Sequence, residues 1–226
     1  TPEDRAPDDR SPSPGVSGGG PSTTPPGAAT LNISAKCNIF DAGRTTTSGG
    51  GILPVVHSFT AGAGKVLTFS SVTGMIRAVE TDPDCPPDGC RGSTDVFSSQ
   101  GISGVKHNGR NMFLTGVFLD DRTPSPPGPA RLEYAEPVNA STFAPAIAQA
   151  FYIGDGLTGS GSGTAQQFQV PATATRLFLG FVDAGLYGVP DSYGYNWGSL
   201  SATFQVGAAS GSGSTGGGGS TGSTTP

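Results

Sequence analysis

Hydrophobic and polar residues alternate most regularly between positions 176 and 206, and that stretch sets the expected architecture. On its first arm Leu177, Leu179 and Phe181 alternate with their neighbours, and on its second Leu200, Ala202, Phe204 and Val206 alternate with Ser201, Thr203 and Gln205. A period of two gives a strand one buried and one wet face, as in an antiparallel sheet. Upstream, the pattern predicts strands over 29–36, 52–59, 65–71 and 75–79, with Pro54 interrupting the second and Gly74 separating the last two. Residues 101–105 lead into 112–119, an apolar run short enough to be a strand buried on both faces. An edge strand is expected at 132–134, and further strands at 151–153 and 165–170. Only 143–150 predicts a helical turn or short helix, because Ala144, Ala146, Ala148 and Ala150 favour one. About eight to ten short strands separated by Gly and Pro turns describe an all-β chain, an antiparallel β-sandwich of the jelly-roll kind.

Composition divides the chain of 226 residues into three. Residues 1–30 are crowded with Pro, Gly, Ser, Asp and Arg, and 207–226 are nearly all Gly, Ser and Thr. Every aromatic residue lies within 31–206. Neither tail has the apolar surface to offset its chain entropy, so both are expected to be linkers flanking one sandwich domain at 31–206. A formal charge of −5 leaves no basic patch, which argues against nucleic acid as a partner. No apolar run approaches the roughly 20 residues needed to span a bilayer. The chain opens at Thr1 without a signal peptide, compatible with a processed secreted protein or a trimmed chain. Of three cysteines, Cys85 and Cys90 enclose Pro-Pro-Asp-Gly, a spacing that suits a small disulfide loop in an oxidising compartment, with two free thiols as the alternative. Cys37 is left over as a small buried hydrophobe.

Candidate chemistry concentrates between the two best-patterned strands. Asp183, Asp191, Ser192 and Asn196 gather oxygen atoms there beside Tyr193, Tyr195 and Trp197. Oxygen-rich loops on rigid strands suit hard cations and sugars. The same Asp and Asn residues equally suit Asx turns capping the strand ends, and the aromatics suit either a sugar platform or packing at a sandwich rim. Gly62, Gly64 and Lys65 do not make a phosphate loop, since Val66 stands in place of Ser or Thr and no helix follows. Asp88 and Asp155 read as turn formers, and Asp120-Asp121 as solvated surface. His57 and His107 lack a nucleophile or paired carboxylate nearby in sequence, and His107 is read in a turn within reach of a loop end. No nucleophile and base constellation stands out, so an enzyme is not expected. Asn32 and Asn139 each open an N-glycosylation triplet.

From Phe151-Tyr-Ile-Gly-Asp-Gly, through Phe168-Gln-Val-Pro171 and Leu177-Phe-Leu-Gly-Phe-Val-Asp183, to Val189-Pro-Asp-Ser-Tyr-Gly-Tyr-Asn196-Trp-Gly-Ser-Leu200, the sequence resembles the PA-I galactophilic lectin family. The likeness is weaker over 67–119, where the segments ending at Gly74 and Leu119 look like a larger, secreted version of that domain. The resemblance implies a bacterial β-sandwich that binds galactose through one calcium ion. Calcium takes about six to eight oxygens at about 2.3–2.6 Å. Carried over by position, Asp183 is the opening carboxylate, Ser192 supplies a carbonyl, and Asn196 is second of a closing pair, with another carbonyl near Ala78. The sugar-binding set so implied is Asp183, Asn196, Tyr195 and Trp197. This chain departs from the family twice: residues 184–188 are an insertion, and Tyr195 stands where Asn or Asp is expected. A phenol, with a pKa of about 10, is a poor calcium ligand near neutral pH, which leaves Asp191 as its replacement.

These features set two expectations. One is an extracellular, calcium-dependent carbohydrate-binding module that takes galactose-type glycans. The other is a structural subunit of an extracellular fibre or surface layer, associating with copies of itself through its terminal arms while its sugar site is degraded. An accessory module of a multidomain hydrolase is a third.

Overall fold

The computed structural model describes residues 27–60, 64–184 and 188–208. The tails expected to be linkers lie almost wholly outside these. Two sheets face each other. The larger contains β1 (Ala29–Ser34), β3 (Lys65–Arg77), β8 (Thr142–Phe143), β10 (Gln167–Gln169) and β12 (Trp197–Ala208), in the order β1-β12-β3-β10-β8. The second contains β2 (Val55–Ser58), β6 (Leu114–Leu119), β9 (Ala150–Tyr152) and β11 (Arg176–Phe181), in the order β2-β11-β6-β9. Antiparallel partners nest from the outside inwards: β1 with β12, β2 with β11, β3 with β10 and β6 with β9. That nesting is one long hairpin rolled over on itself, the jelly-roll arrangement that the alternation predicted.

The core follows from the alternation. Ile33, Leu67, Phe69, Leu200, Ala202 and Phe204 of the larger sheet meet Leu114, Phe118, Phe151, Leu177, Leu179 and Phe181 of the other. A third layer, β4 (Cys90–Val96), β5 (Val105–Asn111) and β7 (Leu132–Ala135), forms its own sheet in the order β4-β5-β7. Val96 and Val105 of this layer, with Phe113 and the segment holding Ile39 and Phe40, join Val117, Leu119, Tyr152 and Phe178 in a second core. Strand β6 is therefore buried at all six positions, Thr115 included, as the nearly continuous apolar run at 112–119 predicted. At Gly116 a Cβ would come within 2.5 Å of the Phe151 ring, so only glycine permits this packing.

Several expectations are corrected. No helix forms over 143–150. Thr142–Phe143 pairs parallel to β10, residues around Ala146–Gln149 turn, and Ala150 enters β9 fully buried. Alanine's small helix preference loses to burial and pairing, and Ala148 stands at φ 60°, outside the helical region. Gly74 does not break β3, which runs through it into Met75. A Cβ at Gly74 would lie 2.3 Å from the Ser199 carbonyl oxygen, and its φ of 112° suits glycine alone. Strands β4 and β5 were not foreseen, and the Lys-His-Asn-Gly read as a turn is the middle of β5, with Gly109 opposite Gly92.

Candidate functional site

The loop between β11 and β12 is built on one buried tyrosine. Tyr193 is fully buried, and its hydroxyl donates to the Phe181 carbonyl (3.2 Å) and accepts from the Asp183 backbone N–H (3.0 Å). Its own N–H donates to the Gly49 carbonyl (3.1 Å), tying the loop to the glycine turn before β2. At Gly49 a Cβ would lie 3.1 Å from the Asp191 Cα, and φ is 58°, so the turn reaches the loop because it has no side chain there. The turn is itself held by the buried Asp41 carboxylate, which accepts from the Ser48 N–H (2.9 Å), the Ser48 hydroxyl (2.7 Å) and the Gln100 amide (2.6 Å). Tyr193 thus anchors the loop and is not part of an aromatic surface.

The sequence-predicted oxygens are partly brought together. Burial pushes the Asp183 carboxyl above its usual range, while the Ala184 N–H and the Asn196 amide beside it pull back and the charge of Asp191 adds to the push. Its Oδ1 accepts from Ala184 N (2.8 Å). Asn196 is wholly buried, its Nδ2 donating to the Ala35 carbonyl (3.1 Å), yet its Oδ1 has no hydrogen-bond partner among the described residues. A buried amide oxygen without a donor is costly, about 1–3 kcal/mol, and is the kind of atom that a cation or ligand hydroxyl satisfies. Ser192 stands in the left-handed region at φ 75°, and its carbonyl already accepts the Tyr195 N–H (3.1 Å), leaving one lone pair. Asp191 is exposed, with Oδ1 accepting from Ser192 N (2.7 Å).

The aromatic members point outward. Tyr195 is 70 % and Trp197 47 % exposed. Trp197 lies opposite Arg77 on β3, and Met75, 52 % exposed, lies opposite Ser199 two positions along, so Trp197 and Met75 share the solvent face as diagonal neighbours. Asp183 also borders a shallow cavity of about 230 Å³ whose far wall is Ser93, Thr94, Asp95 and Asn111. These wall residues come from the unforeseen strands β4 and β5, and no local pattern announced them.

Calcium's demand for oxygen ligands fits Asp183 and Asn196, with Asp191 near enough to contribute charge. Among the described residues no three Asp, Glu, His or Cys side chains form a metal cage, so further ligands would have to be carbonyls or come from outside. Tyr195, out in solvent, takes no part in such a set.

Around the cysteine loop the structure bears out the expected disulfide and the buried Cys37, and corrects the reading of Asp88 as a turn former. Cys85 and Cys90 form the disulfide, and Cys37 is free and buried, its thiol pushed up to about 11 by burial. Asp88, inside that loop, is a buried hub. Its carboxylate accepts from the Tyr152 hydroxyl (2.9 Å), Asp155 N (3.0 Å) and the Ser160 hydroxyl (2.8 Å). Asp155 does cap its turn, accepting from Leu157 N and Gly161 N at 2.8 Å each. His107 is fully buried among Phe113, Tyr134 and Tyr152 and cannot touch a sugar. His57 is half-buried, edge-on to Phe204. No protein-family model matches the chain, and comparison with curated proteins finds no match.

Proposed function

We propose that this chain is an extracellular carbohydrate-binding module, calcium-dependent and galactose-type in preference, with its site on the loop between β11 and β12. The observation that carries the proposal is the buried, unpartnered Asn196 Oδ1 beside the desolvated Asp183 carboxylate, with Tyr195 and Trp197 exposed at the rim. Asp183 and Asn196 would hold the ion, and a bound calcium would supply positive charge to draw sugar hydroxyls. Trp197 would carry the apolar C–H face of the sugar ring. The Cys85–Cys90 disulfide supports an oxidising compartment. No helix among the described residues is long and apolar enough to cross a membrane.

Calorimetric titration with galactose, in calcium and in chelator, tests this reading. Binding is expected in calcium only, and lost in both Asp183→Ala and Trp197→Ala. Absence of binding to galactose-terminated glycans under either condition refutes it.

A second reading, a structural subunit of an extracellular fibre or surface layer, is favoured by the outer position of β1, whose edge has no partner strand among the described residues and can accept one from a neighbouring copy. Sedimentation showing only monomer at high concentration would exclude it.

A further inference from the structure

The antiparallel register of β4 and β5 sets Arg91 directly opposite Arg110. Like charges facing each other across a strand pair repel, which destabilises the pair unless something negative lies between or beside them. Arg110 is partly compensated: Nε donates to Glu136 (3.0 Å), and its outer nitrogens reach Glu136, the Gly89 carbonyl and the Ser160 hydroxyl at 3.3–3.4 Å. Arg91 is exposed and has no hydrogen-bond or ion-pair partner among the described residues.

Both arginines line a cavity of about 540 Å³ formed by the disulfide loop, the 82–86 segment and the ends of β4 and β5. That is in the size range of small-molecule sites, about 300–1,000 Å³. Asn111 lies on the same wall with its Oδ1 buried and without a partner among the described residues. Its amide packs over Gly92, where a Cβ would come within 2.9 Å of Nδ2. The cavity also holds the carboxylates of Asp82 and Asp84, the latter already paired with Arg77 (2.7 Å). Pro86 and the disulfide supply an apolar flank.

From this arrangement we infer that the cavity is a binding site for an anionic sugar, separate from the loop that follows β11. Arg91 and Arg110 take the carboxylate or sulfate, the planar Arg91 guanidinium donating a fork of two N–H bonds. Asn111 gives the ligand an amide to bond. Asp82 and Asp84 accept from ring hydroxyls, since the positive partner of Asp84 is already in place as Arg77. The apolar flank receives the C–H face of the ring. A neutral sugar would leave Arg91 uncompensated, and a simple carboxylate would leave the rest of the cavity unfilled.

The test is titration of the full chain in chelator, so that the calcium-dependent reading stands or falls separately. The probes are glucuronic acid, galactose 6-sulfate, galactose and acetate, followed by backbone amide shifts and calorimetry. Glucuronic acid or galactose 6-sulfate is expected to bind and to shift residues 82–91 and 110–111, and whichever binds names the anion. Arg91→Ala, an exposed position, should weaken that binding roughly tenfold, with Arg91→Lys between the two. The inference is overturned if Arg91→Ala binds as the parent does, if galactose or acetate binds as tightly, or if the shifts fall on residues 183–197.

Discussion

Removing a single oxygen atom at Tyr193 should destabilise the whole loop that carries the candidate site. Tyr193→Phe keeps the buried ring but deletes the hydroxyl that accepts from Asp183 N and donates to the Phe181 carbonyl. Both backbone groups then lose a partner where water has little access. A net hydrogen bond contributes about 0.5–1.5 kcal/mol, and leaving a buried donor unmade costs about 1–3 kcal/mol, so the expected loss is about 1–3 kcal/mol. For a domain of this size each kcal/mol lowers Tm by about 2–4 °C. Urea unfolding should show a lower midpoint at unchanged slope, because the surface exposed on unfolding is the same. Trp197 is the only tryptophan and begins β12, so its fluorescence reports the loop while circular dichroism reports the sheets. The two transitions should shift together, since the loop is bonded to both β11 and the turn before β2. A loss below about 0.5 kcal/mol, the range of ordinary surface substitutions, would show that the hydroxyl does not hold the loop.

Three further outcomes follow from the packing. Phe118→Ala, which empties the core between the sheets where Phe118 stacks on Phe151 at 5.1 Å, should cost about 3–5 kcal/mol in urea unfolding. Replacing Cys85 and Cys90 by Ser should cost about 2 kcal/mol by the chain-entropy estimate for so short a loop, read as a lower thermal midpoint that reductant no longer changes. Burial holds the His107 imidazole below its usual range, against the upward pull of Glu136 and Asp88 and with the downward push of Arg110. The unfolded chain therefore takes up a proton that the folded chain resists, so stability should fall as pH drops below about 6.5. In His107→Phe that part of the acid loss should vanish from a series of unfolding curves, and an unchanged pH profile would refute the assignment.

Much of the site's composition was legible in the sequence and little of its geometry. Asp183, Ser192, Asn196, Tyr195 and Trp197 fall on one loop because they are close in the chain between two well-patterned strands. Their orientation was not legible: Tyr193 turned inward, Ser192 spent a carbonyl lone pair on a tight turn, and Asn196 was buried with one oxygen free. Tyr193 is tied to the glycine turn at 49–51 and Asn196 to the Ala35 carbonyl, both far away in sequence. The Arg91–Arg110 cavity was missed because β4 and β5 carry few apolar residues, Gly92 and Gly109 interrupt their alternation, and His107 fills a core position.

By itself the sequence determined the fold class and most of the strands of the two facing sheets. Burial of one face imposes a period of two, and the nearly continuous apolar run at 112–119 suits a strand held between two layers. The cysteine spacing likewise suggested a ring that the structure closes. Tertiary structure alone decided the rest. It turned 143–150 from a helix into strand and turn, because pairing with β10 and burial of Ala150 outweigh alanine's fraction of a kcal/mol of helix preference. It carried β3 straight through Gly74, because only a residue without a Cβ lets the Ser199 carbonyl come so close. It also chose which polar atoms were left without partners, since hydrogen bonds are settled by neighbours in space, and those unpartnered atoms are where both proposed ligands would bind.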